Sequence, residues 1–296
     1  MSNASQAINS LDQTINSFKS RVDVKVNDVN TSTANIQATT NRIYENIEKF
    51  KTEMLHGEEK QIAHENILRI DQIIKEQFKT LKDRSVFYAR KFKDIDLSDV
   101  QTQEDFEKLP FSEKADLREA YPLGLQAVPD EKIIRIHSSS GTTGTPVVIP
   151  YTQKDVDDWA TMFARCYETA GITNTDRIQI TPGYGLWTAG IGFQLGCERL
   201  GAMAIPMGPG NTEKQLKMMQ DLHSTVITGT SSYALLLAEE IEKRGLRDKL
   251  DLRKGVIGSE RWGEKMRQRI ANELGIEIFD IYGLTEIYGP GIGISC

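Results

Sequence analysis

From Ile8 onward, apolar residues recur at Ile15, Val22, Val29, Ile36, Ile43 and Phe50, seven apart at every step. Companions follow three positions later at first (Leu11, Phe18) and four later further on (Val26, Ile47, Met54). A seven-residue repeat draws one slowly drifting apolar stripe along a helix, which is the coiled-coil pattern. The run "NTSTANIQATTN" weakens that helix, because Ser, Thr and Asn side chains bond to the backbone in competing conformations. Two readings stay open: a stripe that self-associates or meets a partner, and an amphipathic helix packed on its own domain. Gly57 marks a break.

Between about Glu58 and Pro129 the pattern predicts helices. Ile67, Leu68, Ile70, Ile73, Ile74, Phe78 and Leu81 share one face of a 3.6-residue turn, with charged residues opposite. Thr102, followed by Glu104 and Asp105, opens a second helix that Pro110 closes. Ser112 is the expected N-cap of a third, stopped by Pro122. From residue 130 the character changes. "IIRIH" (133–137) and "VVIP" (147–150) predict strands. After them, helices near 153–170, 187–200, 212–223, 231–244 and 263–274 alternate with short apolar strands. Those strands are expected at Arg177–Ile180, Ala202–Pro206, Thr225–Thr228, Gly255–Ile257 and Ile276–Ile281. Such alternation means an α/β fold, a helix-covered parallel or mixed sheet whose ligands sit beyond the carboxyl ends of its strands. The expected domains are 1–57, 58–129 and 130–296.

Composition narrows the function classes. A net charge of −6 and a pI near 5.4 argue against a general binder of nucleic acid or anionic membranes. No run approaches the roughly 18 apolar residues of a membrane helix, and the N-terminus lacks the basic-then-apolar pattern of a secretory signal. Cys166, Cys197 and Cys296 are widely spaced and contain no C-x-x-C pair, the usage of a cytoplasmic protein with reduced thiols. None of His56, His64, His137 and His223 stands at metal-ligand spacing to another.

Four loops could carry chemistry. "HSSSGTTGTP" places the hydroxyls of Ser138, Ser139, Ser140, Thr142 and Thr143 around Gly141 and Gly144, whose backbone freedom can aim several N–H groups at one point. A flexible linker is excluded by the tight flanking strands. The hydrolase P-loop is excluded because no Gly-Lys follows. A different phosphate cradle and a plain Ser/Thr-rich turn remain. In "IEIFDIYGLTEIYGPG", a strand is expected to run out at Ile281. Tyr282, Gly283, Thr285 and Glu286 then follow at its carboxyl end, Glu286 being a hard oxygen ligand suited to magnesium. "VIGSERWGEKMR" puts Ser259 and Glu260 between a strand and a helix. "TPGYGLWTAGIGF" supplies Tyr184 and Trp187, either core aromatics or walls of an apolar acyl pocket.

The four loops in this order resemble the AMP-forming acyl-CoA synthetases, within the adenylate-forming superfamily, and specifically the phenylacetate–CoA ligase family. "SSSGTTGTP" is similar to that family's phosphate loop, and "YGLTE" to its adenine and magnesium motif. "GPGNTEKQLKMMQDL", "GTSSYALLLAEE", "GSERWGEKMR" and "FEKLPFSEKADLREAYPLGLQAVP" resemble further segments, so the likeness spans roughly residues 70–296. It departs at Thr145, where relatives often carry Lys, and at "GTSSY", where Thr-Pro-Ser is usual. The resemblance implies the large-domain fold of these enzymes, in part, after a helical N-terminal region. It also implies that Ser138–Gly144 (Ser138, Ser139, Ser140, Gly141, Thr142, Thr143, Gly144) hold the β- and γ-phosphates of ATP. Thr285 would meet the α-phosphate and Glu286 would bind Mg2+. Ser259, Glu260, Asp280, Ile281, Tyr282 and Gly283 would surround adenine and ribose, while Tyr184, Trp187, Ile281 and Pro290 would line the acyl pocket. The implied reaction turns an aryl acid and ATP into an acyl-adenylate, then passes the acyl group to CoA.

The family's ribose-binding Asp, hinge and small C-terminal domain with its Lys have no counterpart in these 296 residues, and the first 60 or so resemble nothing in it. The resemblance therefore implies an N-terminal portion of such a ligase. Cys296 is expected free and structural zinc is not expected. Partners are expected to be small molecules, with self-association through residues 1–56. The competing expectation is a coiled-coil scaffold carrying an inactive or nucleotide-binding-only fragment.

Overall fold

A two-stranded hairpin and a six-stranded sheet carry the candidate loops, in a computed structural model that describes residues 72–100, 103–141 and 144–295. The heptad stripe, Gly57, the start of the following helix through residue 71, Thr102, Thr142, Thr143 and Cys296 lie outside the described residues. The chain divides between Glu76 and Gln77 into two units, and the second holds both sheets.

The first helices of that second unit are short. The helical residues 77–84 carry Phe78, whose ring packs 5.5 Å from Phe92 and 5.7 Å from Phe106. Helix α1 (Val86–Lys91) starts at Ser85, whose hydroxyl accepts from the Tyr88 N–H. Helices α2 (Gln103–Glu107) and α3 (Lys114–Glu119) follow. The N-cap of α3 is Glu113 rather than the expected Ser112. Asp116 decides this, because its carboxylate accepts the Glu113 N–H at 3.1 Å and also pairs with Lys91 at 2.7 Å.

The expected strands flanking the hydroxyl-rich loop are β1 (Ile133–Ser138) and β2 (Val148–Thr152), paired antiparallel as a separate two-stranded sheet. Thr152 then caps α4 (Gln153–Thr169) reciprocally with Asp155: the Asp155 N–H donates to Oγ1 at 3.2 Å and the carboxylate takes the Thr152 N–H at 2.8 Å. Next come β3 (Arg177–Ile180), α5 (Ala189–Leu200), β4 (Met203–Pro206), α6 (Thr212–Asp221), β5 (Val226–Thr230) and α7 (Ser231–Lys243). The series closes with β6 (Lys254–Gly258), α8 (Glu264–Leu274), β7 (Glu277–Leu284) and β8 (Gly289–Ile294). The strand order is β4-β3-β5-β6-β7-β8, parallel throughout except for the antiparallel β7–β8 pair.

Helices cover both faces, which explains why the strands read as short unbroken apolar runs. Val226, Val256 and Phe279 turn to one face with Phe163 and Tyr167 of α4 and Phe193 of α5. Their chain neighbours Ile227, Ile257 and Ile278 turn to the other, with Leu216, Leu237, Ile241 and Ile270. Glycines let α4 and α5 approach closely: a Cβ on Gly192 would lie 2.5 Å from Trp159, and one on Gly196 would lie 2.7 Å from Phe163.

At the amino ends of the strands, the buried Asp176 ties three segments together. Its carboxylate accepts from Thr225 Oγ1 at 2.6 Å, the Thr173 N–H at 2.8 Å and Arg253 at 2.6 Å. Burial works to raise its pKa, but those bonds outweigh it and hold the carboxyl below its ordinary 3.8. The stabilisation is therefore present above the unfolded-state value and lost as pH falls through the lower folded-state value. Asp176→Asn should cost about 2 kcal/mol at neutral pH in urea denaturation, and the loss should shrink on acidification. A constant difference down to strongly acid pH would contradict this account.

Candidate active site

The two flanks of the hydroxyl-rich loop are tied to each other. The Ser139 N–H donates to the Val147 carbonyl and the Val147 N–H to Ser139 Oγ, each at 2.9 Å, sealing its base. The Gly144 N–H donates to the Gly141 carbonyl at 3.1 Å, with Gly141 at φ 68° and Gly144 at φ 135°. Both glycines are required here, because L side chains rarely adopt such values. Ser138 is buried where β1 ends, and Ser140 is exposed.

That buried end of β1 meets the loop holding Tyr184 and Trp187. The Leu186 carbonyl accepts from the Ser138 N–H at 2.9 Å and from His137 Nδ1 at 3.1 Å. Above this tie, Leu186 and Trp187 are both more than half exposed. Tyr184 is partly exposed, and burial pushes its phenol up to about 12. The loop leads into α5, which begins at Ala189, two residues later than the hydrophobic pattern suggests.

Strand β7 does not stop at Ile281 but runs through Leu284, so Tyr282 and Gly283 lie inside it. The reason is β8, which pairs Tyr282 with Gly293 and Gly283 with Pro290 across a register shift. The Ile287 N–H donates to the Leu284 carbonyl at 3.0 Å, placing Thr285 and Glu286 at the corner of this hairpin. Tyr282 is 59% exposed, an open aromatic face at the sheet's carboxyl end. Ile281 points into the core with Phe163 and Phe193, beneath the surface rather than on it. The Asp280 backbone is clasped by Ser295, its N–H donating to Ser295 Oγ at 2.8 Å.

Glu286 is mostly buried, and its Oε1 has no hydrogen-bond donor aligned on it. Lys114 of α3 stands 3.3 Å from that oxygen in charge contact. Four residues along the same helix face, Arg118 Nη1 would lie 4.0 Å from a Cβ on Gly144. One short helix thus lies beside the hydroxyl-rich loop and makes a charge contact at the Glu286 corner. Sequence reasoning read residues 112–122 for cap, stop and family resemblance, and missed this pair. The i, i+4 spacing of Lys and Arg in "KADLR" was the available signal.

Ser259 follows β6 with φ 69°, a strained value for a residue with a Cβ. The next residue, Glu260, turns toward the start of α7. Its carboxylate accepts from Ser231 Oγ at 3.0 Å, and from the Ser232 N–H and Oγ at 2.8 Å each. Burial raises its pKa, but the bonds from Ser232, Ser231 and Thr230 bring the net shift below the ordinary value. A carboxylate at a helix N-terminus is a favourable placement, so this side chain fastens two loops of the site to each other. Glu260→Ala should cost about 1 kcal/mol by thermal or urea unfolding, as loss of a cap does. An unchanged midpoint would remove this role.

The loops after β3, β6 and β7 thus open at the carboxyl ends of one parallel sheet, with the β1–β2 loop tied beside them. Contacts link Ser138 to Leu186, Gly283 to Pro290 and Glu286 to α3. Among the described residues, no group of three or more His, Cys, Asp or Glu side chains could hold a metal. Glu286 is a single carboxylate with a buried oxygen lacking a donor, which suits one bond to a cation brought in with a substrate. No helix of the described residues is long and apolar enough to cross a membrane.

A hydroxyl- and glycine-rich turn tied beside the carboxyl end of a mainly parallel sheet, with a Thr-Glu corner on its last hairpin, is the loop arrangement of an α/β fold built to take a ligand. The AMP-binding enzyme family matches residues 35–294, and the chain belongs to that family. It is 47% identical over 199 residues to a phenylacetate-coenzyme A ligase of Pseudomonas putida, an alignment covering 67% of this chain and 45% of that protein. It is 46% identical over 213 residues to the Escherichia coli K12 enzyme of the same name, covering 71% and 49%. Among solved structures, 2-hydroxyisobutyryl-CoA ligase with 2-HIB-AMP and CoA superposes with a TM-score of 0.70 at 26% identity. That match covers 76% of this chain and 50% of the ligase. The chain spans about half the length of the curated relatives it matches. Membership in an enzyme family favours the ligase expectation over the scaffold one.

Proposed function

We propose that the chain serves an AMP-forming acid–CoA ligase of phenylacetate type. The observation that carries the proposal is the convergence of three loops, each of a different chemical character, on one end of the sheet in a chain 42–47% identical to phenylacetate-coenzyme A ligases. In this reading a carboxylate oxygen of the aryl acid attacks the α-phosphorus of ATP, and pyrophosphate leaves. The thiolate of CoA then attacks the acyl carbon of the mixed anhydride, and AMP leaves.

The chain's own groups would act by position and charge. N–H groups and hydroxyls of Ser138–Gly144 would hold the β- and γ-phosphates. Lys114 and Arg118, on one face of α3, would add positive charge beside that loop. Tyr282 would offer its exposed ring to adenine, and Thr285 would reach the α-phosphate. Tyr184, Trp187 and Pro290 would form the apolar walls around the acid. Ile281, being buried, would support those walls from below. Glu286 would hold the Mg2+ that accompanies ATP, whose charge would offset the phosphate oxygens. With this reading go small-molecule substrates, a cytoplasmic setting and self-association through residues 1–56.

Calorimetry of this chain with ATP–Mg2+ and with phenylacetate tests the proposal. Binding of both is expected, and no heat from either at millimolar concentration would overturn it. Sedimentation of the chain with and without residues 1–56 tests self-association, which should be lost in the shorter form; two monomers would refute it.

A further inference from the structure

His137 and Trp159 lie outside the sets expected to touch ATP or the acid, yet they join three of the segments that do. His137 is 3% exposed and Trp159 0%. The His137 ring donates through Nδ1 to the Leu186 carbonyl at 3.1 Å, beside the Ser138 N–H that reaches the same oxygen at 2.9 Å. Its ring stands edge-on to Trp159 at 5.8 Å and to Tyr151 at 5.4 Å. Trp159 Nε1 in turn donates to the Pro290 carbonyl at 2.8 Å. A continuous path therefore runs from the Leu186 carbonyl through the two rings to Pro290, with Ser138 adjoining His137 in the chain. Gly192 keeps the path tight, because a Cβ there would strike Trp159 at 2.5 Å and approach the Pro290 ring at 3.3 Å.

We infer that His137 and Trp159 are positioning residues that set the separation of the two acyl-pocket walls, Leu186–Trp187 and Pro290, and fix them relative to the phosphate loop. The inference rests on the proposed ligase reading, and it goes further by naming what determines the fit of the acid. The side chains at Leu186 and Trp187 are exposed, so packing does little to hold that wall. Its backbone carbonyl, bonded to the buried residues His137 and Ser138, is the point of attachment. Two donors on one carbonyl fix its direction, and loss of the His137 donor leaves it held by the Ser138 N–H alone. Neither residue touches substrate in this scheme; each acts through a backbone carbonyl.

His137→Phe keeps a ring against Trp159 and removes the donor. His137→Asn places an amide N–H near the position of Nδ1 and restores it. With ATP–Mg2+ saturating, calorimetry should show phenylacetate bound about tenfold more weakly by the Phe variant, the worth of one buried hydrogen bond. The Asn variant should return to within about threefold of wild type on the same scale. ATP affinity measured without the acid should change less than the acid's in both. Trp159→Phe, which removes the Nε1 donor to Pro290 together with part of the indole ring, gives a second reading should the Phe variant at 137 not fold. It too should weaken the acid more than ATP. Unchanged acid binding in His137→Phe or in Trp159→Phe would overturn the inference, as would an Asn variant no better than Phe. If wild type binds neither ligand, it is the ligase reading that fails.

Discussion

Glu286→Gln is expected to weaken Mg2+-dependent ATP binding by at least about tenfold while leaving the fold intact. The substitution is isosteric and removes only the charge. Its structural cost is small, because the partner Lys114 is 54% exposed and an ion pair of that kind contributes at most about 1 kcal/mol. The effect on the ligand is larger. Magnesium is held by one or two carboxylates together with substrate phosphates, so neutralising the one carboxylate at this corner removes most of what the protein itself offers. Comparing ATP titrations with Mg2+ and with EDTA isolates that contribution. Lys114→Met serves as the contrast, since it removes the charge contact but keeps the carboxylate, and the difference between Mg2+ and EDTA should persist. If the Gln variant keeps the full difference, Glu286 does not hold the cation.

The contrast between Glu286 and Lys114 also shows where the sequence could be read and where it could not. Elements whose apolar residues repeat with a clear period were legible. Strands β3, β5 and β6 and helices α4, α7 and α8 stand within a few residues of their expected places, because a strand covered on both faces reads as a short apolar run and a helix packed on one face reads as a 3.6-residue stripe. Strand β8 was not legible. "GPGIGI" carries the glycines and proline of a turn, and two of its glycines, Gly289 at φ 98° and Gly291 at φ 91°, have turn-like backbone angles. It is a strand only because β7 offers it a partner, which is tertiary information. The same omission hid the full length of β7 and put Tyr282 and Gly283 beyond its end. Motifs in the loops were readable as sets of residue types. The ties between them were not, since Lys114 and Glu286, or His137 and Leu186, are brought together by the fold and by nothing in local spacing.

Gly283→Ala is expected to be the most damaging single change in the site. A Cβ at this position would lie 2.0 Å from the Gly289 carbonyl oxygen and 2.4 Å from the Pro290 Cα. Both are backbone atoms, so no side-chain rotation relieves the clash and β8 itself must move. That strand has little freedom to do so. The Pro290 carbonyl is held by Trp159, the Gly291 carbonyl accepts from Cys166 Sγ at 3.3 Å, and a Cβ on Gly291 would meet Phe163 at 2.1 Å. Displacing β8 therefore disturbs α4 and the core behind it, at a cost on the order of 3 kcal/mol. In a domain stable by about 5–15 kcal/mol that is a large share, and the urea midpoint should fall accordingly. Gly293→Ala on the same strand is the control. Its nearest neighbour would be Tyr282 at an ordinary 3.9 Å, so it should shift stability by no more than about 0.5 kcal/mol. Loss of ATP–Mg2+ binding should accompany Gly283→Ala, because Thr285 and Glu286 sit on the hairpin that the clash pries open. Equal midpoints for the two variants would mean that β7 and β8 do not approach as closely as the site requires.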